Sequence, residues 1–341
     1  MNNQMLGIID ACTTTSSLQP LTFYRSIAAV PFAGRYRLID FMLSNMVNSG
    51  VQSVAIFPKD RYRALTDHIG SGKEWDLDRK RDGLFIFPPV KNDLKLEDPS
   101  LIAQFRYHID YFLRSKQDYV IIANSYTICT IDFNQVLKRH VAQGAVVTSV
   151  VNGNTPLNIY IINKKALLDI LQNETQDFDT ITELVHYLSS SSKVITYEQN
   201  GYLSQVDSLE AYYKASMDIL SAETWKQLFL RTRPVYTKTK DEPPTRYAKT
   251  AVVKNSMIAN GCVIEGHVEN SIIFRGVKIG KGAVVKNSIV MQKGAILENS
   301  VLNYVVLDKD VKIGSHEELN GEPNLPRVLA KGTVQGALMN S

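Results

Sequence analysis

A polar loop near the N-terminus has the position of a phosphate-binding loop but not its composition. The stretch "DACTTTSSLQPLT" (residues 10–22) follows a short apolar run and precedes a helical pattern. Phosphate loops in α/β proteins bind the anion through backbone N–H groups, and they need glycine because it permits close approach and positive φ. No glycine lies between Gly7 and Gly34. The sequence therefore raises the question of whether this loop still binds phosphate.

Apolar, β-rich runs alternate with helical patterns up to about residue 220. The runs predict strands at 5–9, 51–57, 119–123, 145–151, 158–162 and 193–198. Several are continuously apolar, as parallel strands covered on both faces are. Helical spacing with start or stop signals predicts helices at 37–50, 99–115, 132–144 and 207–220. This alternation predicts an α/β, Rossmann-like domain with a mostly parallel sheet and helices on both faces.

The pattern changes in the last third of the chain. Residues 231–249 are rich in proline and charge, and we place a linker at 236–249, between a first domain (1–235) and a second (250–341). One phrase then recurs, a charged residue followed by Asn-Ser and two apolar residues, at 254–259, 269–274, 286–291 and 298–303. Short apolar rungs separated by Gly and Asn turns predict a hexapeptide β-helix of about four coils, followed by a tail. We expect the asparagines to stack or to occupy left-handed turns.

Composition argues against several classes of protein. With 341 residues, two domains are expected. The net charge of +4 is mild, and no basic tract interleaved with aromatics suggests nucleic acid or a membrane surface as a partner. Cys12, Cys129 and Cys262 lie far apart without a CxxC pair, which argues against a zinc site and favours a reducing compartment. Because no long apolar segment or leader pattern occurs either, we expect a cytoplasmic protein.

Motifs spread in order along the chain resemble one enzyme family, the bacterial ADP-glucose pyrophosphorylases (glucose-1-phosphate adenylyltransferases) of glycogen synthesis. They are "PLT" (20–22), "RSIAAVPFAGRYRLIDFMLSN" (25–45), "NSGV" (48–51), "HIGSGKEWDLDR" (68–79), "VDSLEAYYKASMDIL" (206–220) and the C-terminal rungs. The resemblance covers nearly the whole chain. It implies a nucleotidyltransferase domain followed by a left-handed parallel β-helix, and within the family the chain most resembles the noncatalytic, regulatory subunits.

The resemblance implies that the catalytic positions have changed. Active members join ATP to glucose 1-phosphate, which needs a glycine loop, cations around the triphosphate and Mg²⁺ held by carboxylates. The family's glycine, arginine, lysine and two metal-binding aspartate positions correspond here, in that order, to Cys12, Thr13 and Thr15, to Ser17, to Ile27, and to Ser125 and Gln205. The resemblance thus implies no catalytic residue, no metal and no cofactor.

Three further positions support this interpretation. The family's small residues at the nucleotide side correspond to the bulkier Ser100-Leu101-Ile102. Only "NGNTPL" (152–157) stands where active members carry a longer insertion with a sugar-phosphate lysine. Asp132 and Asp207 lie near the lost metal positions, but each is placed to cap a helix, and we predict that role for them.

Arg25, Arg35 and Arg37 form a basic cluster that the resemblance places near inter-domain or effector-binding surfaces. Two interpretations stay open. The favoured one is a solvated approach to the following helix with local salt bridges. The other is a site for an anionic or sugar-phosphate effector.

A protein that keeps its scaffold and loses its chemistry is most simply an interaction partner. We expect the chain to assemble with a catalytic ADP-glucose pyrophosphorylase as a hetero-oligomer, a tetramer by resemblance, and to modulate that enzyme. The first alternative is a weakly active sugar-phosphate nucleotidyltransferase. The second is a hexapeptide acyltransferase, whose catalytic histidine would be His267 or His316.

Overall fold

The computed structural model describes residues 4–89, 100–173 and 178–336. The strands of its N-terminal part, β1–β11, are Met5–Ala11, Pro31–Phe32, Tyr36–Arg37, Ser53–Pro58, Gly83–Ile86, Tyr119–Asn124, Thr127–Cys129, Val147–Asn152, Thr155–Asn163, Val194–Glu198 and Leu203–Gln205. Among the described strands, one sheet has the order β10-β8-β9-β6-β1-β4-β5. β9 is antiparallel to both of its neighbours, and the other adjacent pairs are parallel.

β1 lies inside this sheet and is buried on both faces. Ile9 packs into one hydrophobic cluster together with residues of the helix Leu38–Asn48, whereas Leu6 and Ile8 pack into another on the opposite face. This is why the run "MLGII" is continuously apolar rather than alternating. The prediction of an α/β domain with a mostly parallel sheet is confirmed.

The helices α1–α9 are Leu38–Asn48, Arg63–Ile69, Leu101–Tyr107, Ile109–Arg114, Phe133–Ala142, Lys164–Leu171, Ile181–Ser189, Leu209–Asp218 and Ala222–Leu228. Asp132 caps α5, as predicted, because its carboxylate accepts the N–H of Asn134 at 3.1 Å. The prediction for Asp207 is wrong. The cap of α8 is the next residue, Ser208, whose hydroxyl accepts the N–H of Ala211 at 3.1 Å.

The helix predicted at 99–115 is interrupted. It divides at His108, whose backbone leaves the helical region (φ −102°, ψ 28°) and whose ring lies 4.3 Å from that of Phe87, centroid to centroid. Residue 99 lies outside the described residues. The edge strand β5 and the helices α2, α6, α7 and α9 have no counterpart among the sequence predictions. All of these elements are short. The apolar periodicity of the helices therefore extends over only about two turns, and that of the strand over a few residues.

The C-terminal part is a stack of short parallel strands. These strands, β12–β27, are Arg246–Tyr247, Val252–Lys254, Met257–Ile258, Val263–Ile264, His267–Glu269, Ile272–Ile273, Lys278–Ile279, Val284–Lys286, Ile289–Val290, Ala295–Ile296, Val301–Asn303, Val305–Leu307, Lys312–Ile313, Glu318–Asn320, Arg327–Leu329 and Val334–Gln335. Each pairs in parallel with the third strand along the chain, which gives three sheets, consistent with a left-handed β-helix. The stack begins inside the predicted linker and continues past the predicted four coils.

The Asn-Ser pairs at 255–256, 270–271 and 287–288 form the same corner of three successive coils, whereas the fourth pair, Asn299-Ser300, lies at another corner, between β21 and β22. Asn255, Asn270 and Asn287 adopt positive φ (39°, 46° and 46°), and Asn255 Nδ2 donates to Asn270 Oδ1 of the next coil at 2.9 Å. The serines stack in the same way, since Ser288 N donates to Ser271 Oγ at 3.1 Å. The corner therefore satisfies its polar groups from coil to coil, and the expected left-handed, stacked asparagines are present.

The two domains share one hydrophobic cluster and one buried ion pair. The cluster joins Phe32 and Tyr212 of the first domain to Phe274 and Met291 of the β-helix. Beside it, Arg25 Nη2 lies 2.9 Å from Asp308 Oδ1, and Arg25 Nη1 donates to Asp308 Oδ2 at 3.0 Å. The side chains are 3% and 0% exposed. The domains therefore meet across a desolvated, bidentate contact.

The segment predicted as a linker lies along the first domain. Tyr236 N donates to Ser44 Oγ of α1 at 2.9 Å, and Thr239 N donates to Glu74 Oε1 at 3.2 Å. Thr237 between them is buried. These contacts fix the path of the chain from one domain to the other.

We predict that Arg25→Met destabilises the protein by about 3–5 kcal/mol, because it leaves the buried carboxylate of Asp308 without a counter-charge. The double variant Arg25→Met/Asp308→Leu should recover most of that loss. Urea unfolding, followed by fluorescence, measures both. The control is Lys214→Met, which removes the exposed partner of Asp218 on α8 and should leave stability nearly unchanged. Equal effects of Arg25→Met and Lys214→Met would contradict the prediction.

Candidate functional site

The carboxyl ends of β1 and β6 open on a cavity of about 430 Å³. Ligands of open α/β sheets bind at this edge of the sheet. The described residues that line the cavity are Asp10, Cys12, Thr13, Lys59, Ser100, Leu101, Ile122, Ala123, Asn124, Tyr126, Asn158, Tyr160, Asp179, Thr180, Ile181 and Thr182. The cavity is thus the counterpart of a nucleotidyltransferase active site, and two of the predicted positions, Cys12 and Thr13, lie in it.

The polar loop uses its own groups where a phosphate loop would leave them free. Cys12 N donates to Asp10 Oδ1 at 2.8 Å, and Thr13 Oγ1 lies 3.5 Å from Asp10 Oδ2. The Cys12 thiol donates to Phe57 O at 3.2 Å and accepts from Gln104 Nε2 at 3.1 Å. Burial raises the pKa of Cys12 and also that of Asp10. Because Asp10 accepts the backbone N–H of Cys12, that donor is not available to an anion.

A second backbone N–H of the loop is bound in the same manner. Thr15 caps a short 3₁₀ turn, Ser16–Leu18, and its Oγ1 accepts the N–H of Ser17 at 3.2 Å. Ile27, where the resemblance places a lysine, is 2% exposed and packs with Leu18 and Leu21. The loop thus has a side-chain oxygen at a backbone donor and an aliphatic side chain at the position of a cation.

The two positions of the metal-binding aspartates lie close together but supply no carboxylate. Ser125 follows β6, is fully buried, and its Oγ has no hydrogen-bond partner among the described residues. Gln205 on β11 pairs with Thr127 of β7, and its Nε2 donates to Leu157 O at 3.2 Å. Mg²⁺ is a hard cation that proteins bind through carboxylates. The residues at these positions do not fit it.

Two further observations concern the same proposed metal-binding positions. Asn124 is fully engaged, since its Oδ1 accepts the N–H groups of Tyr126 and Thr127 and its Nδ2 donates to Leu157 O at 2.7 Å. Within residues 4–89, 100–173 and 178–336, no group of three or more His, Cys, Asp or Glu side chains could hold a metal ion.

The connection between β8 and β9 is a tight hairpin. Asn152 pairs with Thr155, which leaves Gly153 and Asn154 as its turn. Gly153 has φ +57°, and its N–H donates to Glu198 Oε1 at 2.7 Å. The short "NGNTPL" segment is therefore an ordered, exposed turn that carries no lysine.

The three arginines of the basic cluster have different surroundings. Arg25 pairs with Asp308, which is 283 positions away, so the expectation of a solvated residue with a local salt bridge is wrong for it. Arg35 and Arg37 line a separate groove of about 270 Å³ between the domains. The other charged residues of the groove come from the inter-domain segment, from α2 and from the β-helix, and they are His68, Lys238, Lys240, Glu242, Arg275, Lys293, Lys309 and Asp310.

Cations crowd this groove. Burial, together with Arg25 and Arg275, lowers the pKa of Arg37 to about 10. Burial, together with Arg37 and Arg25, lowers the pKa of Lys309 to about 7. The pKa of Arg275 is lowered by burial and by Arg35. Uncompensated positive charge is the electrostatic condition for anion binding. Sequence reasoning found Arg35 and Arg37 but not the lysines, because they lie some 200 to 270 positions away.

The fold and the cavity define the class of protein, a nucleotidyltransferase domain fused to a hexapeptide β-helix. The family models agree: residues 7–160 match the nucleotidyl transferase family, and residues 243–325 match the GlmU-like C-terminal hexapeptide family. In the described residues, no helix is long and apolar enough to cross a membrane.

Similar proteins identify the family within this class. The glycogen biosynthesis protein GlgD of Bacillus subtilis is 53% identical over all of this chain and 99% of its own length. GlgD of Geobacillus stearothermophilus is 52% identical over the full length of both chains. Glucose-1-phosphate adenylyltransferase of Clostridium perfringens is 31% identical over 84% of this chain and 83% of that enzyme. The chain belongs to the GlgD glycogen biosynthesis protein family and is homologous to the glucose-1-phosphate adenylyltransferases.

We predict that the protein binds Mg·ATP no more tightly than millimolar, since the N–H groups of Cys12 and Ser17 are already bound within the loop and Ser125 and Gln205 cannot hold the metal. The triple variant Cys12→Gly/Thr13→Gly/Thr15→Gly should not restore nucleotidyl transfer, because the metal positions are unchanged. Isothermal titration calorimetry and a pyrophosphate-release assay measure these properties. Micromolar, magnesium-dependent binding of ATP by the unaltered chain would show that the nucleotide site is still functional and would contradict the prediction.

Proposed function

We propose that this chain is a noncatalytic subunit that assembles with a catalytic glucose-1-phosphate adenylyltransferase and modulates its synthesis of ADP-glucose for glycogen. The observation that carries the proposal is the pair of former metal positions. A buried serine hydroxyl and a hydrogen-bonded glutamine amide stand where a nucleotidyltransferase needs carboxylates. The chain therefore lacks the carboxylates that would hold the metal, while the surrounding fold is intact.

Retention of the fold supports the assembly. The first domain and the β-helix are both complete in the described residues and are locked together by the shared cluster and the Arg25–Asp308 pair. Homologous folds present homologous surfaces, so pairing with a catalytic paralogue needs little new geometry. Modulation then follows if the interface contacts differ between the partner's less and more active conformations.

The two alternatives have less support. A weakly active nucleotidyltransferase would need a carboxylate near Ser125 or Gln205, and Asp132 is occupied as the cap of α5. A hexapeptide acyltransferase would need a catalytic histidine. His267 Nε2 lies 3.3 Å from Glu269 Oε2, whose carboxylate is also bound by Lys286 on the outer face of one sheet. His316 is exposed at a corner with φ +62°. Both histidines resemble surface residues of the coils.

A second function is favoured by the cationic groove. We propose that Arg35 and Arg37, together with Lys240, Arg275 and Lys309, bind a phosphorylated effector between the domains. Burial is the main cause of the lowered pKa values of Arg37 and Lys309, and neighbouring cations add to it; a bound anion would offset that positive charge. Gln292 Oε1, in the same groove, is buried without a hydrogen-bond partner in the described structure. Arg25 is not part of this site, since Asp308 already neutralises it.

We predict that the purified chain makes no appreciable ADP-glucose alone but co-purifies with the catalytic subunit of the same cell. The complex should differ from that subunit alone in kcat, KM or effector response, by several-fold to about a hundredfold, the usual range of allosteric coupling. Co-expression, gel filtration and steady-state kinetics test this. Separate elution with unchanged kinetics would refute the regulatory role, and ordinary turnover by the chain alone would refute the loss of catalysis.

We predict that the groove binds sulfate and that binding weakens as the pH rises. Lys309 has a lowered pKa of about 7, so its positive charge is present below that pH and lost above it. Sulfate itself does not titrate between about pH 6 and pH 9, where an ordinary lysine also keeps its charge. Lys309→Met should weaken binding at low pH and abolish most of the pH dependence, which separates Lys309 from His68 and Asp310 in the groove.

The control for this experiment is Lys312→Met, which removes an exposed lysine of β24 outside the groove. Thermal-shift and calorimetric titrations with sulfate and fructose 1,6-bisphosphate measure the affinities. Equal effects of the two lysine variants, or no shift with any anion, would contradict the effector site.

A further inference from the structure

Four asparagines of the chain directly precede a glycine, and they are Asn152, Asn200, Asn260 and Asn320. In an Asn-Gly pair the backbone nitrogen of the glycine can attack the side-chain amide carbon of the asparagine, because glycine has no side chain to hinder the approach. The attack requires the peptide unit between the two residues to turn. The fold therefore decides which of the four pairs can react.

The pair at Asn152 is held at both of its reacting groups in the β8–β9 hairpin. Gly153 N donates to Glu198 Oε1 at 2.7 Å, which fixes the peptide unit. Asn152 Nδ2 donates to Gln199 O at 3.1 Å, which anchors the side-chain amide on the neighbouring segment. Cyclisation at this pair requires both hydrogen bonds to open.

The two pairs of the β-helix are held in a similar way. Gly261 N donates to Pro243 O at 2.7 Å, and Gly321 N donates to Asn303 O of the preceding coil at 2.9 Å. The side-chain amide of Asn320 is hydrogen-bonded as well. The glycine nitrogens of both pairs are thus restrained by the stack of coils.

Asn200 differs from the other three asparagines. It is exposed in the connection between β10 and β11, and within the residues that the structure describes neither its side-chain amide nor Gly201 N has a hydrogen bond. Gly201 has φ +89°, and a Cβ built there would have Gln227 Oε1, at 3.6 Å, as its nearest neighbour. The glycine nitrogen therefore has both the freedom and the space to approach the amide of Asn200.

The one hydrogen bond to this peptide unit is made by its oxygen. Gln199 Nε2 donates to Asn200 O at 2.7 Å and to Thr130 O at 3.0 Å. When Gly201 N loses its proton, the negative charge collects largely on Asn200 O, and a hydrogen bond to a charged acceptor is stronger than one to a neutral acceptor. This contact therefore favours the reactive form of the nitrogen instead of blocking it.

We propose that Asn200 is a site of spontaneous deamidation in the folded chain. Gly201 N loses its proton and bonds to Asn200 Cγ, the Cγ–Nδ2 bond breaks, and Nδ2 leaves with that proton as ammonia. The product is a cyclic succinimide. Water then opens the ring: cleavage of the bond from nitrogen to Cγ gives aspartate, and cleavage of the bond from nitrogen to the backbone carbonyl carbon gives isoaspartate.

Both products change the connection between β10 and β11. Each adds a carboxylate there, and isoaspartate also lengthens the main chain by a methylene group, since the chain then runs through Cγ. β10 is an edge strand of the large sheet, and β11 carries Gln205 and pairs with β7. The modification thus falls on the link between these two sheets and belongs to the single chain, independent of any partner.

The test is peptide mapping by mass spectrometry during incubation of the full chain at mildly alkaline pH, which favours loss of the glycine proton. The Asn200 peptide should gain the mass of an amide-to-acid exchange and divide chromatographically into aspartyl and isoaspartyl forms. We expect this reaction to be about tenfold faster than at the other three pairs, as expected where one or two hydrogen bonds must open first.

Three controls separate the fold from the local sequence. Asn200→Ser should abolish the fast mass gain. Glu198→Ala removes the acceptor of Gly153 N and should speed deamidation at Asn152, whereas Glu210→Ala, which removes an exposed carboxylate of α8, should not. In guanidinium chloride at unfolding concentration the four pairs should react at similar rates. Thermal melting verifies that each variant is folded.

Four results would overturn the proposal. They are equal rates at the four pairs in the folded chain, a faster reaction at any of the other three pairs, a preference for Asn200 that persists after unfolding, and no acceleration at Asn152 in folded Glu198→Ala. None of these results bears on whether the chain assembles with a catalytic subunit.

Discussion

The buried pair of Arg25 and Asp308 is the contact on which the arrangement of the two domains depends. Neither charge is solvated, so each requires the other, and separating the domains would expose or orphan both. The guanidinium also donates to Leu21 O at 2.8 Å, directly beyond the degenerate loop. One side chain thus ties the end of that loop to a coil of the β-helix. The stack of coils makes this partner rigid, since Asp308 follows β23, which is paired on both sides.

The fixed junction creates the cationic groove. Once the β-helix is held against the first domain, Arg275 and Lys309 are placed beside Arg35 and Arg37, and they must lie there whether or not an anion is present. The lowered pKa values of Arg37 and Lys309 express that constraint. In the Arg25–Asp308 contact the two charges neutralise each other. In the groove, by contrast, the basic side chains outnumber the two acidic ones, Glu242 and Asp310. The same junction therefore contains one neutral, structural ion pair and one positively charged concavity.

The sequence predicted what is encoded locally or by motif. Continuous apolar runs identified the sheet strands, and the repeated Asn-Ser phrase identified the coils because three successive coils use it at the same left-handed corner and the fourth copy forms another corner. The family resemblance assigned Ser125 and Gln205 to the metal-binding positions from the motifs around them, and neither side chain is a carboxylate. The sequence analysis wrongly placed the cap of α8 at Asp207, one residue before the Ser208 that caps it, because Asp and Ser side chains both suit that position. The break at His108 depends on packing against Phe87, which is a tertiary contact.

The functional surroundings were harder to predict because they are assembled from distant segments. No local pattern links Arg37 to Lys309, or Tyr160 to Thr182. What joins each set is the order of the strands and the angle between the domains. The two concavities that result have opposite character: carboxylates and neutral hydroxyls line the former active site, and cations line the junction. If the loop had merely decayed, its neighbours would have no reason to remain hydrogen-bonded to one another. Instead Cys12, Asn124 and Asn158 each have a specific partner, so the cleft is an ordered, closely specified surface.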